Sequence, residues 1–411
     1  MTITRAGLAF CSALVILGVV VAAPALVLVG LLGLLALGVS GLWSRFGLRS
    51  LHYERTIGRD RTLWGDDVPL DIAVWNDKPL PLPWLSVDDF ATAGTVVREE
   101  PLAHTDLPGL AILRSRWTVG WYERVVRHLT IAADRRGMYA LGPVRVTVAD
   151  PFGYGLATEE HEDRGTLIVR PRTLPVRLVS QQHTPAGDLR TRHSLFEDPA
   201  LFAGVRPYRP GDPMRRVHWR ATARTGTPVS KRFDPSRLES TLVALDVQTM
   251  SGPIWKNDEE LVESLIVAAS SLVRHSLIEG ASCGLAAMAL SRSPGGFALV
   301  APRTGRSQLG SVADMLGRLD VAPSAPFDHL LVRLPQKVQA GTTIVVLTAR
   351  DPAPYVAALR RLDRSGYPVQ VVGLGPNGPV AASRARALGF PAMVGSLNPD
   401  WRTSDALVLA S

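Results

Sequence analysis

The stretch AGLAFCSALVILGVVVAAPALVLVGLLGLLALGVSGLWS, residues 6–44, holds no charged side chain and is built largely from Leu, Val, Ala and Gly. Such a run is nearly twice the roughly 20 residues that cross a bilayer core, so two spans are expected. Pro24 sits near its middle, where proline removes a backbone donor and disfavours helix in the residue before it. The spans are therefore placed at 6–23 and 25–43, a transmembrane hairpin with a very short turn. Arg5 ahead of the run and Val21-Ala22-Ala23 also fit a cleaved signal peptide. That reading requires a polar mature N-terminus, whereas a second apolar span follows at once. Arg45, Arg49, Arg55, Arg59 and Arg61 cluster just after the run, and positive charge beside a membrane boundary marks the cytoplasmic side. Two crossings then give a multi-pass protein of the cell membrane with its soluble domains in the cytoplasm. The same arginines also fit the solvated start of a domain.

The full 411 residues suit an anchor plus two or three domains, at about 150 residues per domain. Only two cysteines occur, Cys11 inside the first span and Cys283, so neither a disulfide framework nor a zinc site can be built from them. Residues 50–180 read as all-β. Val68–Trp75, Arg124–Ala132 and Val144–Val148 are strand-like, and Trp75-Asn76-Asp77, Arg136-Gly137, Leu141-Gly142-Pro143 and Asp150-Pro151-Phe152-Gly153 punctuate the region as turns. This pattern predicts an Ig-like β-sandwich.

From about residue 241 the grammar changes. Thr241–Val247 reads as a buried strand, and Asn257, with Glu260 three residues on, is placed to cap a helix in which Leu261, Leu265, Ala269, Leu272 and Ser276 recur at helical spacing. Further strands are expected at Ser282–Ala289, Phe297–Ala301, Thr342–Thr348, Val369–Leu374 and around Met393, with helices near 306–319, 353–365 and 381–388. The alternation predicts a mostly parallel, Rossmann-type α/β domain over 241–411.

Residues 181–240 belong to neither pattern. Pro210-Gly211 suits the centre of a type II turn, Asp212 is a good N-cap and Pro213 a good first helical residue. A short helix should follow, ending near Thr225-Gly226, before a strand from Val229. Residues 206–237 carry Arg206, Arg209, Arg215, Arg216, Arg220, Arg224, Lys231, Arg232 and Arg237 against Asp212 and Asp234, nearly the whole net charge of +8. That concentration suits an acidic protein face, anionic lipid or a phosphate backbone, or else arginines pairing locally on a solvated helix and strand. No nucleic-acid-binding fold accompanies the charge, so nucleic acid is not expected as a partner. Tyr208 and Trp219 are read first as packing residues, with Trp219 closing the short helix onto the sheet, and second as interface anchors.

The segment Tyr208-Arg209-Pro210-Gly211-Asp212, then Arg215-Arg216, Trp219-Arg220 and Thr222-Ala223-Arg224, resembles the signature of the DUF58 family. That signature runs approximately Tyr-x-Pro-Gly-Asp, a basic residue, Trp, then Thr/Ser-Ala-Arg. Arg136-Gly137-Met138-Tyr139, Leu141-Gly142-Pro143 and Asp150-Pro151-Phe152-Gly153 resemble the turns that precede it, so the likeness covers roughly residues 1–300. His218 departs from the pattern, because an Asp is frequent beside the tryptophan. The resemblance implies a membrane-anchored protein with a von Willebrand A-like domain, often associated with MoxR-type AAA+ ATPases, and brings no settled biochemical activity. The ten signature residues just named from Tyr208 to Arg224, leaving aside Thr222 and Ala223, are accordingly the candidate partner-binding set.

Chemistry is sparse. There is no Walker A loop, no His-Glu-x-x-His and no Gly-x-Ser-x-Gly. Asp246 ends the first α/β strand and Asp351 follows Thr342–Thr348, so both are expected at the carboxyl edge of the sheet, where open α/β sheets bind ligands. Hard cations such as magnesium favour oxygen ligands there. A von Willebrand A metal site uses Asp-x-Ser-x-Ser, whereas this chain has Asp246-Val247-Gln248-Thr249-Met250. Asp246, Thr249 and Asp351 are the candidate metal set, and a loop-bracing role for Asp246 is the expected alternative. The reading favoured overall is an interaction or adaptor protein without catalysis, and the alternative is a metal-dependent enzyme or ligand-binding protein using that edge.

Overall fold

The computed structural model describes residues 2–153, 155–179, 197–207, 219–227, 229–235, 240–250, 252–253, 256–291 and 297–410. They form two compact units, Met1–Arg170 and Pro171–Ser411.

The first unit opens with a helical hairpin, α1 (Thr2–Val20) and α2 (Pro24–Phe46). Pro24 is not part of the turn, as its helix-breaking character suggested. It is the first residue of α2, a position whose N–H has no intrahelical acceptor and where proline's fixed φ suits the helix. The helices meet through small residues. A Cβ on Gly30 would lie 2.6 Å from Val15 Cγ2, and one on Gly33 would lie 2.6 Å from Cys11 Sγ, the close approach typical of helices packed in lipid. On the outside Phe10, Ile16, Val20, Leu28 and Leu35 are all more than half exposed. Hydrocarbon, rather than water, is the solvent matched to that surface. α2 is long and apolar enough to cross a membrane, with the shorter apolar stretch Ala6–Val20 beside it. The core helix Glu259–Ile278 of the second unit passes the same length test but is mostly buried.

Two sheets follow. β1 (Leu51–Ile57), β2 (Arg61–Leu63), β3 (Asp67–Asn76), β4 (Leu82–Thr92), β5 (Val96–Val97) and β6 (Ala103–His104) come first along the chain. β7 (Leu110–Val119), β8 (Arg124–Ala132), β9 (Gly137–Ala149), β10 (Leu156–His161) and β11 (Gly165–Arg170) complete them. One sheet has the order β1-β3-β8-β5, and the other β2-β11-β9-β4-β7-β6 with β10 on β9. Alternate residues of β3 (Val68, Leu70, Ile72, Val74) and of β4 and β9 (Leu85, Val87; Val144, Val146, Val148) share one core, so the sheets pack face to face. Leu141-Gly142-Pro143, read above as a turn, lies inside β9. There the strand changes partner, from β11 up to Leu141 to β10 from Val144, so the missing proline N–H falls between two ladders.

Arg55 is buried in this unit. Its Nη1 lies 2.5 Å from Asp89 Oδ1, the Tyr53 hydroxyl donates to Asp89 Oδ2 at 3.0 Å, and Arg55 Nη2 donates to the Asp163 carbonyl at 3.0 Å. The pair joins β1 of one sheet to β4 of the other. Arg55 is therefore no boundary marker. Arg59 and Arg61 lie beyond the far end of β1, roughly 20 Å along the strand at 3.3 Å per residue, which leaves Arg45 and Arg49 at the helix end.

The second unit begins with β12 (Val176–Val179), which pairs not with the sandwich but with the last strand of the chain. The sandwich thus ends at Arg170 rather than 180, and the signature region leaves from and returns to the second unit. Its described parts are β13 (Glu197–Pro207), α3 (Trp219–Thr225) and β14 (Val229–Pro235), with β13 and β14 antiparallel. The sheet proper adds β15 (Ser240–Leu245), α4 (Glu259–Ile278), β16 (Ser282–Ala287), β17 (Ala289–Ser291), β18 (Ala298–Arg303), α5 (Arg306–Arg318) and β19 (Leu319–Pro323). It ends with α6 (Phe327–Arg333), β20 (Thr343–Thr348), α7 (Val356–Arg364), β21 (Val369–Leu374), α8 (Gly378–Ala387), β22 (Ala392–Ser396) and β23 (Leu407–Ala410).

The order is β12-β23-β22-β21-β20-β15-β16-β18. The five central strands are parallel, and β18 and β23 run antiparallel to their inner neighbours. Successive residues of β15 go to opposite cores: Val243 and Leu245 pack with α4, Leu242 and Ala244 with α6 and α7. Both faces are covered, which is why β15 reads as a continuous apolar run.

Candidate functional site

β15 precedes every other central strand in the chain, with β16 on one side and β20 on the other. The strand order reverses between β15 and β20, and the carboxyl edge of such a switch point is where open α/β sheets bind ligands. Asp246 follows β15 there and is 1% exposed.

Its carboxylate is surrounded by donors. Arg350 Nε donates to Oδ2 at 2.9 Å and Arg350 Nη2 approaches Oδ1 at 3.4 Å. Thr348 Oγ1 donates to Oδ2 at 3.0 Å, and the Gln248 backbone N–H to Oδ1 at 3.2 Å. Burial pushes the Asp246 carboxyl up, opposed by the Arg350 charge and by these hydrogen bonds. The guanidinium also lies 5.3 Å over the Tyr355 ring. A cation is thus built into the edge, supplied by the chain itself.

The other metal candidates face elsewhere. Thr249 Oγ1 donates to Asn257 Oδ1 at 2.6 Å and accepts from the Asp258 N–H at 2.8 Å. Gln248 folds back, its Nε2 donating to the carbonyls of Met250 and Gly252. Asp351 accepts the Ala353 N–H at 2.9 Å and stands 3.7 Å from Arg384 Nε. Asp246, Thr249 and Asp351 are each committed to separate partners, and this donor set does not fit a hard cation. Among the described residues no three His, Cys, Asp or Glu side chains are grouped to hold a metal ion.

Asn257 does not cap α4 as expected. Asp258 does, accepting the Leu261 N–H at 3.2 Å, while Asn257 Nδ2 donates to the carbonyls of Val247 and Val321. Glu260, the supposed capping-box partner, binds Trp401 Nε1 and Arg402 instead. Arg350 escaped the sequence reading because it carries no metal-ligand chemistry. Its signal was position, two residues after the expected strand Thr342–Thr348, at the edge where Asp246 was also expected.

In the signature, Tyr208, Arg209, Pro210, Gly211, Asp212, Arg215 and Arg216 lie outside the described residues, and with them the expected Gly211 turn and Asp212 cap. α3 carries Trp219, Arg220 and Arg224. Gly226, at φ +70°, ends it, and Thr222 Oγ1 accepts the Val229 N–H at 3.1 Å, tying helix to strand. Trp219 was expected to pack. It is 63% exposed, and Arg224, five residues further along, is exposed as well.

Residues 204–341 match the family model described as "Protein of unknown function DUF58". Asp246 falls inside the matched stretch and Arg350 just beyond it. The chain is also similar to "Uncharacterized protein YeaD" of Bacillus subtilis (strain 168), 24% identical over 251 residues. That match covers 61% of this chain and 58% of the relative's length. Among solved structures, the CARDB domain of the PF1109 protein from Pyrococcus furiosus is 16% identical, with 29% of this chain and 86% of that one covered and a TM-score of 0.20. A cohesin module of a Clostridium perfringens family 33 glycoside hydrolase is 10% identical, covering 29% and 96%, with a TM-score of 0.22. Likenesses at these scores say nothing of activity.

Proposed function

We propose that this chain is a membrane-anchored adaptor of the DUF58 type, with a von Willebrand A-like second unit, whose signature helix engages a MoxR-type AAA+ ATPase in the cytoplasm. The observation that carries the reading is Trp219, a large aromatic exposed on the short helix that also carries the exposed Arg224, within the family-matched stretch. Tryptophan and arginine dominate binding hot spots. The Asp246–Arg350 pair supports the same direction, because a guanidinium takes up the carboxylate on which the alternative, a metal-dependent enzyme, would depend.

The test is co-purification of the full chain from mildly solubilised membranes, with and without nucleotide. The wild type should bring down an AAA+ ATPase. Trp219→Ala combined with Arg224→Glu should lose it while the melting temperature hardly moves, since both side chains are exposed. Recovery of no ATPase from the wild type would refute the partner, and a reporter active only outside the membrane, fused after Ser411, would refute the cytoplasmic location if it were active.

A further inference from the structure

The end of the β-sandwich where α2 arrives differs from the rest of its surface. α2 runs into β1 through only four residues, and the loops of that end are fastened to the helix. Trp43 Nε1 donates to the Pro81 carbonyl at 2.9 Å, the Asp77 N–H to the Ser50 carbonyl at 2.9 Å, and the Ser40 hydroxyl to the Asp150 carboxylate. Loop 120–123 joins them, with Tyr122 N–H donating to the Lys78 carbonyl and Asn76 Nδ2 to the Gly120 carbonyl.

Among the described residues 47–170, the exposed aromatic side chains are Trp84, Trp121, Tyr122 and Phe152, and all four sit at this end. Leu156 joins them, paired with Ala149 where β9 leaves toward the helix. The Asp150 contact reaches Ser40, six residues before α2 ends, or about 9 Å back along the helix at 1.5 Å per residue. The turn carrying Phe152 therefore lies beside apolar helix, inside the level of Arg45 and Arg49.

Charge follows the same placement. Arg49 and Arg45 flank Phe46, at 4.8 and 5.8 Å from its ring. Lys78 is 9% exposed, and its Nζ has no hydrogen-bond partner among the described residues. A cleft of about 160 Å³ at the same end is lined by Trp75, Asn76, Asp77, Tyr122, Glu123 and Arg124, with Lys78 outside its lining. Tryptophan and tyrosine settle at the headgroup level, and basic side chains there attract anionic lipid.

We propose that this end of the sandwich is seated in the membrane interface. Trp121, Tyr122, Phe152, Trp84 and Leu156 enter the headgroup–acyl boundary, and the exposed Arg45 and Arg49 meet the phosphate of an anionic lipid. The inference rests on α1 and α2 crossing the bilayer, and it makes the first unit a monotopic domain as well as a tethered one.

The test is spin-label depth measurement on the full chain in liposomes, in a Cys11→Ser background. Labels go at Trp121→Cys and Phe152→Cys, at Leu28→Cys on α2, and at Leu107→Cys at the opposite end of the sandwich. The labels at 121 and 152 should shift from aqueous toward lipid accessibility while 107 stays aqueous. Phosphatidylglycerol in the liposomes should deepen the label at 121, and Arg45→Gln with Arg49→Gln should abolish that deepening. If 121 and 152 are as aqueous as 107 while 28 is in lipid, the seating is wrong and the anchor stands. If 28 is aqueous too, the anchor itself fails. If free inorganic phosphate with neutral lipid reproduces the effect of phosphatidylglycerol, the two arginines form a soluble-anion site and the lipid assignment is overturned.

Discussion

Ser40 of the membrane-proximal helix and Asp150 of the β9–β10 turn are hydrogen-bonded across 110 residues, with both side chains 1% exposed. Asp150 also accepts the backbone N–H groups of Phe152 and Gly155, so one carboxylate folds the turn and fastens it to α2. Ser40→Ala removes one donor from a buried charge and should cost about 1–3 kcal/mol. Asp150→Ala removes the acceptor of all three and should cost more. Thermal unfolding of the detergent-solubilised chain measures both, and a Ser40→Ala protein as stable as the wild type would mean that the turn holds without the helix.

The Asp246–Arg350 pair gives a sharper expectation. Arg350→Met leaves a buried carboxylate without its counter-charge, a change that typically costs about 3–5 kcal/mol. The double variant Asp246→Leu with Arg350→Met should recover part of that loss. Protonation removes the unpaired charge, so the penalty of the single variant should shrink as pH falls. Urea titrations at two pH values would show this, and a single variant as stable as the wild type would mean the pair is not buried.

Lys78 predicts a pH dependence of the opposite kind. Burial pushes its ammonium down to about 8, from 10.5. Below about pH 8 it is charged in both folded and unfolded chains and the full burial penalty applies. Between about 8 and 10.5 the unfolded chain binds the extra proton, so stability should rise with pH. The ceiling is about 3 kcal/mol for a shift of this size. Comparison with Lys78→Met in neutral detergent isolates the effect, and identical slopes for the two proteins would exclude it.

Cys283 is fully buried in β16 and its thiol is pushed up to about 11 by burial. It should resist maleimide at neutral pH until the second unit unfolds, because the thiolate is the reactive form. Labelling in step with denaturation supports this, and rapid labelling of native protein refutes it.

Much of this architecture was legible because periodicity survives folding. The runs at Val68–Trp75, Arg124–Ala132 and Val369–Leu374 are strands, and the apolar run at 6–44 gives two helices. Misreadings came where one residue type serves two local purposes. Pro24 signalled a break but opens a helix, and Gly142-Pro143 signalled a turn but sits where a strand changes partner. Asn257 and Asp258 are both good caps, and only the fold decides which one turns inward. Arg350, Arg55 and Asp150 act on partners about 34 to 110 positions away, a distance that no local pattern encodes.

The pairing of β12 with β23 has a mechanical meaning. The signature region is an excursion whose two ends re-enter one sheet, at its rim through β12 and at its centre through β15, five strand spacings or about 24 Å apart. A partner that pulls on the excursion therefore loads the two ends unequally. β15 is gripped by ladders on both sides, whereas β12 has a ladder only to β23, four register pairs from Val176–Leu407 to Val179–Ala410, with Val176 also packed on the core and Leu174 bonded to Ser271 of α4. Counted in backbone hydrogen bonds, the rim is therefore the weaker of the two mechanical attachments of the signature to its own domain.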